Sequence, residues 1–359
     1  QVKAAAGKAL DFAAIQLGLE REELEDRIVP DLGFNAQMER VFDYGERSFT
    51  VTITTALEIE VLDEKKKKLK NLPALGKKDD PEKAALAYKT FKQMKKQIKT
   101  EISSQKARLD WALSSERVWS VEAWEALFVK NPLMHPFAIG LIWGVYQDGE
   151  LLQSFRYMED GTFHTEEEEE FLLSKEGKIG LVHPIELSEE SKTAWKEQLE
   201  DYKIVQPIVQ LERNIFYLTE EEKASRSLER FGGYIVNDLS LSGKLQSFGW
   251  YQGSITDVGK IYTFYREDTK IGYGVELHFS GSFVGGGDTK DVTLYDARFY
   301  KTGKIDRSNY SYEELELEFE KGLLLSEIPK RYFSEIVLQL MTVTAFSKEK
   351  NKEWKKERG

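Results

Sequence analysis

No cysteine occurs anywhere in the 359 residues, and the four histidines are scattered and unpaired in sequence. Disulfides cannot hold such a chain together. Thiolate nucleophiles, zinc ribbons and iron–sulfur ligation are excluded with them, because each needs sulfur. The fold must therefore rest on apolar burial, and the material for it is present: 41% of residues are hydrophobic and 12% aromatic, far from a disordered composition. The length exceeds one ordinary core, so two or three structural units are expected.

Zero cysteine fits a reducing cytoplasm, which is the expected location. No apolar run approaches the roughly 20 residues that cross a bilayer, so no membrane contact is expected. The first ten residues lack the charged-then-apolar order of a secretory signal. The chain opens on Gln1 inside a helix-like stretch, as a fragment or processed product of something longer would.

Charge is unevenly spread. The net charge is −11, yet Lys65 to Arg108 holds fifteen Lys or Arg against four Asp or Glu. That segment carries +11 and the remainder −22, so an anionic partner is to be sought there alone. Lys89, Lys92, Lys96 and Lys99 recur at three- and four-residue steps, which places them along one helical face. Lys65, Lys66, Lys67 and Lys68 add a second cationic group. These lysines are the candidates for anion or nucleic-acid binding, although sparse aromatics (Tyr88, Phe91) offer little base stacking.

Hydrophobic period assigns the elements. Residues 2–17 and Arg21 to Val29 read as helices closed by Gly18 and Pro30. Ser48 to Thr55 and Leu57 to Leu62 alternate as strands of a small meander. Pro81 opens a long helix to about Leu113, and Ser120 caps another. Asp148–Gly149 marks a hairpin, residues 178–183 a strand, and Ser188 the start of a helix to about Asp201. Thr219 and Glu222 form a capping box. Residues 239–248 look helical, and 260–266, 271–279 and 292–300 look like strands. A last amphipathic helix spans about Ser326 to Phe346, followed by a charged, frayed tail. The class is α+β, two or three units with antiparallel sheets, a long helix near 81–113 and a C-terminal helix. The expected organisation is the end of a helical region over 1–30, with a repeat array as one reading, then a meander with a helical block over 31–140. An α+β unit over 141–231, a second over 232–347 and the tail 348–359 follow.

Chemistry-bearing motifs are few. No phosphate loop or dinucleotide-binding glycine pattern is present. The run Gly285–Gly286–Gly287 lies between two predicted strands, where a hairpin connection explains it. His135 and His183 precede prolines, His164 faces the acidic run Glu166 to Glu170, and His278 sits within a predicted strand. That acidic run matches no calcium-loop pattern. Trp143, Trp250 and Tyr251 read as core residues unless exposed. No metal site and no cofactor are expected.

Several long phrases resemble one bacterial family. LIWGVYQDGELLQSFRYMEDGTF (141–163), IGLVHPIEL (179–187), DYKIVQPIVQLER (201–213), LGLEREELEDRIVPDLGF (17–34) and LKNLPALGKKDD (69–80) are similar to the C-terminal domain of molybdate metabolism regulator-like proteins. The resemblance implies a longer protein with an N-terminal WGR module, a helical repeat region and this domain of unknown function. The WGR module is absent here, since Trp143–Gly144–Val145 is not Trp–Gly–Arg. The resemblance supplies no catalytic residues.

Three functions follow as expectations. The first is a non-enzymatic regulatory or interaction module of a larger protein, whose partner is an unidentified protein or the missing N-terminal part. The second is an enzyme acting on nucleotides or nucleic acid through dispersed residues, with Arg156, His183 and Trp250 as first probes. The third is direct nucleic-acid binding through the basic segment, with affinity that falls steeply with salt.

Overall fold

A computed structural model of the chain describes residues 2–256, 259–284, 289–303, 322–347 and 349–358; the Gly285–Gly287 run lies outside the described residues. The class is α+β, helices beside antiparallel sheets. The chain divides into two compact units, Gln1–Arg213 and Asn214–Gly359. Local pattern placed breaks after 30, 140 and 231, and strand pairing bears on the one at 140.

In the first unit, α1 (Val2–Leu17) ends at Gly18, whose φ of +64° favours glycine, and α2 (Arg21–Arg27) packs against it. A meander follows in sequence order: β1 (Arg40–Asp43), β2 (Ser48–Ile53), β3 (Ile59–Leu62) and β4 (Lys68–Leu69). Its period of two buries Phe42, Phe49, Val51 and Val61. α3 (Pro81–Ser114) begins where Asp80 accepts from the N–H groups of Glu82 and Lys83. Its buried residues Ala84, Ala87, Phe91, Met94 and Ile98 recur at helical spacing, and Phe91 meets Phe42 edge-on at 5.5 Å.

The loop before α3 is tied to the meander by one fork. Arg47 Nε donates to Asp79 Oδ1 at 2.8 Å and Nη2 to Oδ2 at 2.5 Å, and Gly76 N–H adds a bond at 2.6 Å. The Arg47 bond holds the Asp79 carboxyl below its ordinary range, against the opposing effect of desolvation. A depressed folded pKa stabilises above the unfolded value, about 3.9, and that stabilisation is lost as pH falls through the folded one. D79N should therefore lower stability at neutral pH and flatten the acid limb of the stability curve below about pH 4. An acid limb identical to wild type in urea titrations would show that the fork contributes nothing.

The rest of the first unit comprises β5 (Val118–Ser120), α4 (Val121–Trp124), a π-helical turn over Glu125–Val129, α5 (His135–Gly140), β6 (Ile142–Gln147), β7 (Glu150–Tyr157), β8 (Phe163–His164), β9 (Lys178–Leu181) and α6 (Glu189–Asp201). The second sheet has the order β5-β9-β6-β7-β8, antiparallel throughout. Because β5 pairs with β9, residues on both sides of 140 share one sheet. Asp148 and Gly149 both take positive φ (52° and 85°), as a type I′ hairpin demands. One face of the sheet carries Trp143, Phe155 and Tyr157 into an aromatic core with Trp119, Trp124 and Phe128, where Trp124 meets Trp143 edge-on at 5.2 Å. The other face carries Ile142 and Val182 against Trp195 and Leu199 of α6.

The second unit holds α7 (Glu220–Lys223), β10 (Ile235–Asn237), α8 (Asp238–Ser247), β11 (Tyr251–Gln252), β12 (Lys260–Asp268), β13 (Tyr273–Phe283), β14 (Asp291–Lys301), α9 (Lys330–Thr344) and α10 (Trp354–Arg358). The predicted capping box at Thr219–Glu222 is present but opens only the single turn of α7. The sheet order is β10-β14-β13-β12-β11. Tyr332, Phe333, Ile336 and Leu340 of α9 pack on Phe264, Val275, Leu277 and Phe299. The helix predicted from Ser326 starts later, at Lys330, because Pro329 occupies the cap position behind a short 3₁₀ turn.

The tail read as frayed is docked instead. Trp354 stacks on Tyr295 with the rings 18° apart, Lys355 pairs with Glu229 at 2.6 Å, and Asn351 N–H donates to Gly233 O at 2.7 Å. Gly232 makes the slot, since a Cβ there would come within 2.3 Å of the indole. An apolar ring inside a run of charges outweighed the composition.

Candidate functional site

Alternation along β7 decides where Arg156 goes. Phe155 and Tyr157 face the aromatic core, so Ser154 and Arg156 face α6. Arg156 is only 1% exposed. Its Nη1 donates to Gln198 Oε1 at 2.7 Å, and its guanidinium lies 5.0 Å from the Tyr202 ring centroid. Gln198 Nε2 in turn donates to Thr165 O at 3.0 Å. His164 lies directly across from Arg156 on β8. Burial pushes the guanidinium down to about 10, with Tyr202 and Glu168 opposing that shift through their charges. Beside it, Glu166 accepts from Ser154 at 2.6 Å and Ser191 at 2.5 Å. The acidic run is thus partly a fastener between β7 and α6.

The other two probes stand elsewhere. His183 follows β9, two strands from β7 and so roughly 10 Å away. Its Nδ1 accepts from Ile185 N–H at 3.2 Å, while Glu186 accepts from His183 N–H at 2.7 Å and from the Tyr146 hydroxyl at 2.8 Å. That histidine caps a turn. Trp250 belongs to the core of the second unit, its Nε1 donating to Gln339 Oε1 at 2.7 Å. The structure therefore places Arg156, His183 and Trp250 in three separate environments.

The lysines are exposed, as a solvated face requires. Lys65, Lys66 and Lys67 ride the β3–β4 turn, where Asp63 Oδ1 accepts from the N–H groups of Lys65 and Lys67. Lys68 pairs with Glu60 at 2.8 Å. Lys92 lies over Tyr88 at 4.5 Å, and Lys89, Lys96 and Lys99 point outward from α3.

Sequence reasoning missed three polar centres. Gln210, fully buried, bonds the backbone of both Ile142 and Val182. Asp26 accepts from Arg108, Arg117 and Trp119. In the second unit, β13 turns Val275, Leu277 and Phe279 to the core and Glu276 and His278 to the opposite face, where both are buried and 3.3 Å apart. Arg298 is the cross-strand neighbour of Glu276, and Asp296 accepts from Arg298 Nε at 2.9 Å and from Ser227 at 2.5 Å. The polar alternation Gly274, Glu276, His278, Ser280 was a readable signal of a polar face. Its burial was not. Among the described residues no group of three or more metal-ligating side chains gathers, and no helix is long and apolar enough to cross a membrane.

These features define a two-unit α+β protein with buried charge clusters. The chain belongs to the family described as Domain of unknown function (DUF4132), whose profile matches residues 67–250. It is also 34% identical over 251 residues to the Uncharacterized protein YehI of Escherichia coli (strain K12), a match covering 69% of this chain and 21% of that protein. The chain thus spans about a fifth of the length of this relative. No solved structure matches. Of the resemblance described above, these findings support a shared domain of unknown function and leave aside molybdate and the WGR module.

Proposed function

We propose that the chain is a non-enzymatic regulatory or interaction module of a larger bacterial cytoplasmic protein, and that α1 is the face it presents. One observation carries this. Phe12 and Ile15, three residues apart on one side of α1, are 65% and 73% exposed, and Leu17 is 62% exposed. A helix that leaves such side chains in water is half of a packing interface. The match to a fifth of YehI supports a segment of the remaining polypeptide as the occupant. A role in molybdate metabolism is the finer form of this proposal and rests on the resemblance alone.

The absence of cysteine supplies the test, because I15C gives a sole attachment point for an environment-sensitive dye. Adding the part of YehI outside the matched stretch should shift the emission to the blue, and F12D should abolish the shift. A shift obtained merely by concentrating the chain would make the occupant a second copy. No shift in either titration would sink the proposal.

The exposed lysines of α3 favour nucleic-acid binding as the second reading. K92E/K96E/K99E removes three cations from one face. If that face neutralises phosphates, the slope of log K against log salt should fall by about 2.7 in magnitude. An unchanged slope in fluorescence anisotropy with duplex DNA would remove this role.

A further inference from the structure

Arg156 is a full charge held at 1% exposure by one hydrogen bond to a neutral amide. Its Nε finds no hydrogen-bond partner among the described residues, and neither do His164 Nδ1 and Thr165 Oγ1. Three buried polar atoms without partners in one stretch of 156–165 are unusual, since such groups are nearly always satisfied. Arg156 and His164 are paired across β7 and β8, so their side chains share a face with Cβ atoms about 5 Å apart.

Arg266 feels the charges of Asp268 and Glu335. Arg156 is compensated by Tyr202 and the exposed Glu168, and by the C-terminal end of α6, which Tyr202 closes. A helix C-terminus offers about half a negative charge, well short of desolvating a cation.

We propose that Arg156 and His164 form a site for a small oxyanion, a carboxylate or phosphate group, received between β8 and the last turn of α6. Guanidinium binds such groups through two parallel N–H donors, and its Nε is left without a partner here. The imidazole supplies a further donor. Entry runs past the turn after β8, where Glu167 to Glu170 are exposed and β8 itself is two residues long. Such a short edge opens at low cost.

The competing occupant is an ordered water, which would satisfy the same atoms. Thermal unfolding of the 359-residue chain separates the two, in phosphate, acetate and chloride at matched ionic strength. The midpoint should rise by several degrees over chloride in at least one oxyanion. A rise in phosphate alone assigns a phosphoryl group, and a rise in acetate assigns a carboxylate. R156M should lose the rise, and R156K, which lacks the planar fork, should bind at least about tenfold more weakly. No rise over chloride in wild type, or an equal rise in R156M, would overturn the site and leave water there. Should R156M fail to fold, unchanged anion affinity in R156K overturns it instead.

Discussion

Q210L is expected to destabilise the first unit by about 2–5 kcal/mol, the cost of leaving two buried backbone groups without partners. Gln210 Oε1 accepts from Ile142 N–H at 2.9 Å, and Nε2 donates to Val182 O at 2.9 Å and Ile142 O at 2.6 Å. The side-chain amide thereby completes the last rung between β6 and the chain beyond β9. Ile142 O keeps its bond from Val182 N–H, so the Ile142 N–H and the Val182 C=O are the groups stranded. Leucine fills a similar volume but offers neither donor nor acceptor. In a unit of this size the thermal midpoint should fall by roughly 5–15 °C. A loss under about 1 kcal/mol in urea unfolding would mean that water takes over both bonds.

D26A should be nearly as severe, about 2–4 kcal/mol, because it strands charge rather than dipoles. Asp26 accepts from Arg108 Nη2 at 2.6 Å, Arg117 Nη2 at 2.5 Å and Trp119 Nε1 at 2.9 Å. One carboxylate thus joins α2 to α3 and to β5. The arginine side chains are 21% and 9% exposed, so water recovers only part of the loss. Glu25 and Glu22 remain at 3.5 and 3.4 Å, which places the effect below that of a fully buried pair. D26N, which keeps an acceptor for the indole, should fall between wild type and D26A. Equal stability of D26A and wild type would reduce the network to a surface ornament.

Much of the candidate site was legible residue by residue and illegible as a site. Arg156 stood out by its chemistry, but a strand with Ser154, Phe155, Arg156 and Tyr157 all buried has no polar side to read. Its second face is covered by α6, thirty-three residues further along at its first residue, Glu189. His183 and Trp250 drew attention for the same chemical reasons and proved to be a turn cap and a core residue. Gln210 carried no signal at all, since an isolated glutamine in an extended segment is ordinarily solvated.

The sequence by itself determined the local elements and their ends. Asp80 and Ser188 cap helices, Asp148–Gly149 turns a hairpin, and alternation marks the meander, because each depends on residues within a few positions of one another. It also determined that cores of aliphatic and aromatic side chains, with no sulfur links, hold the protein together. The tertiary structure alone decided that β5 joins β9, that the units divide at 213, and that Arg156, Asp26 and Glu276 lose their water. Those outcomes depend on which distant surfaces meet. A side chain's desolvation is a property of what packs over it, and the period of its own strand or helix contains no record of that partner.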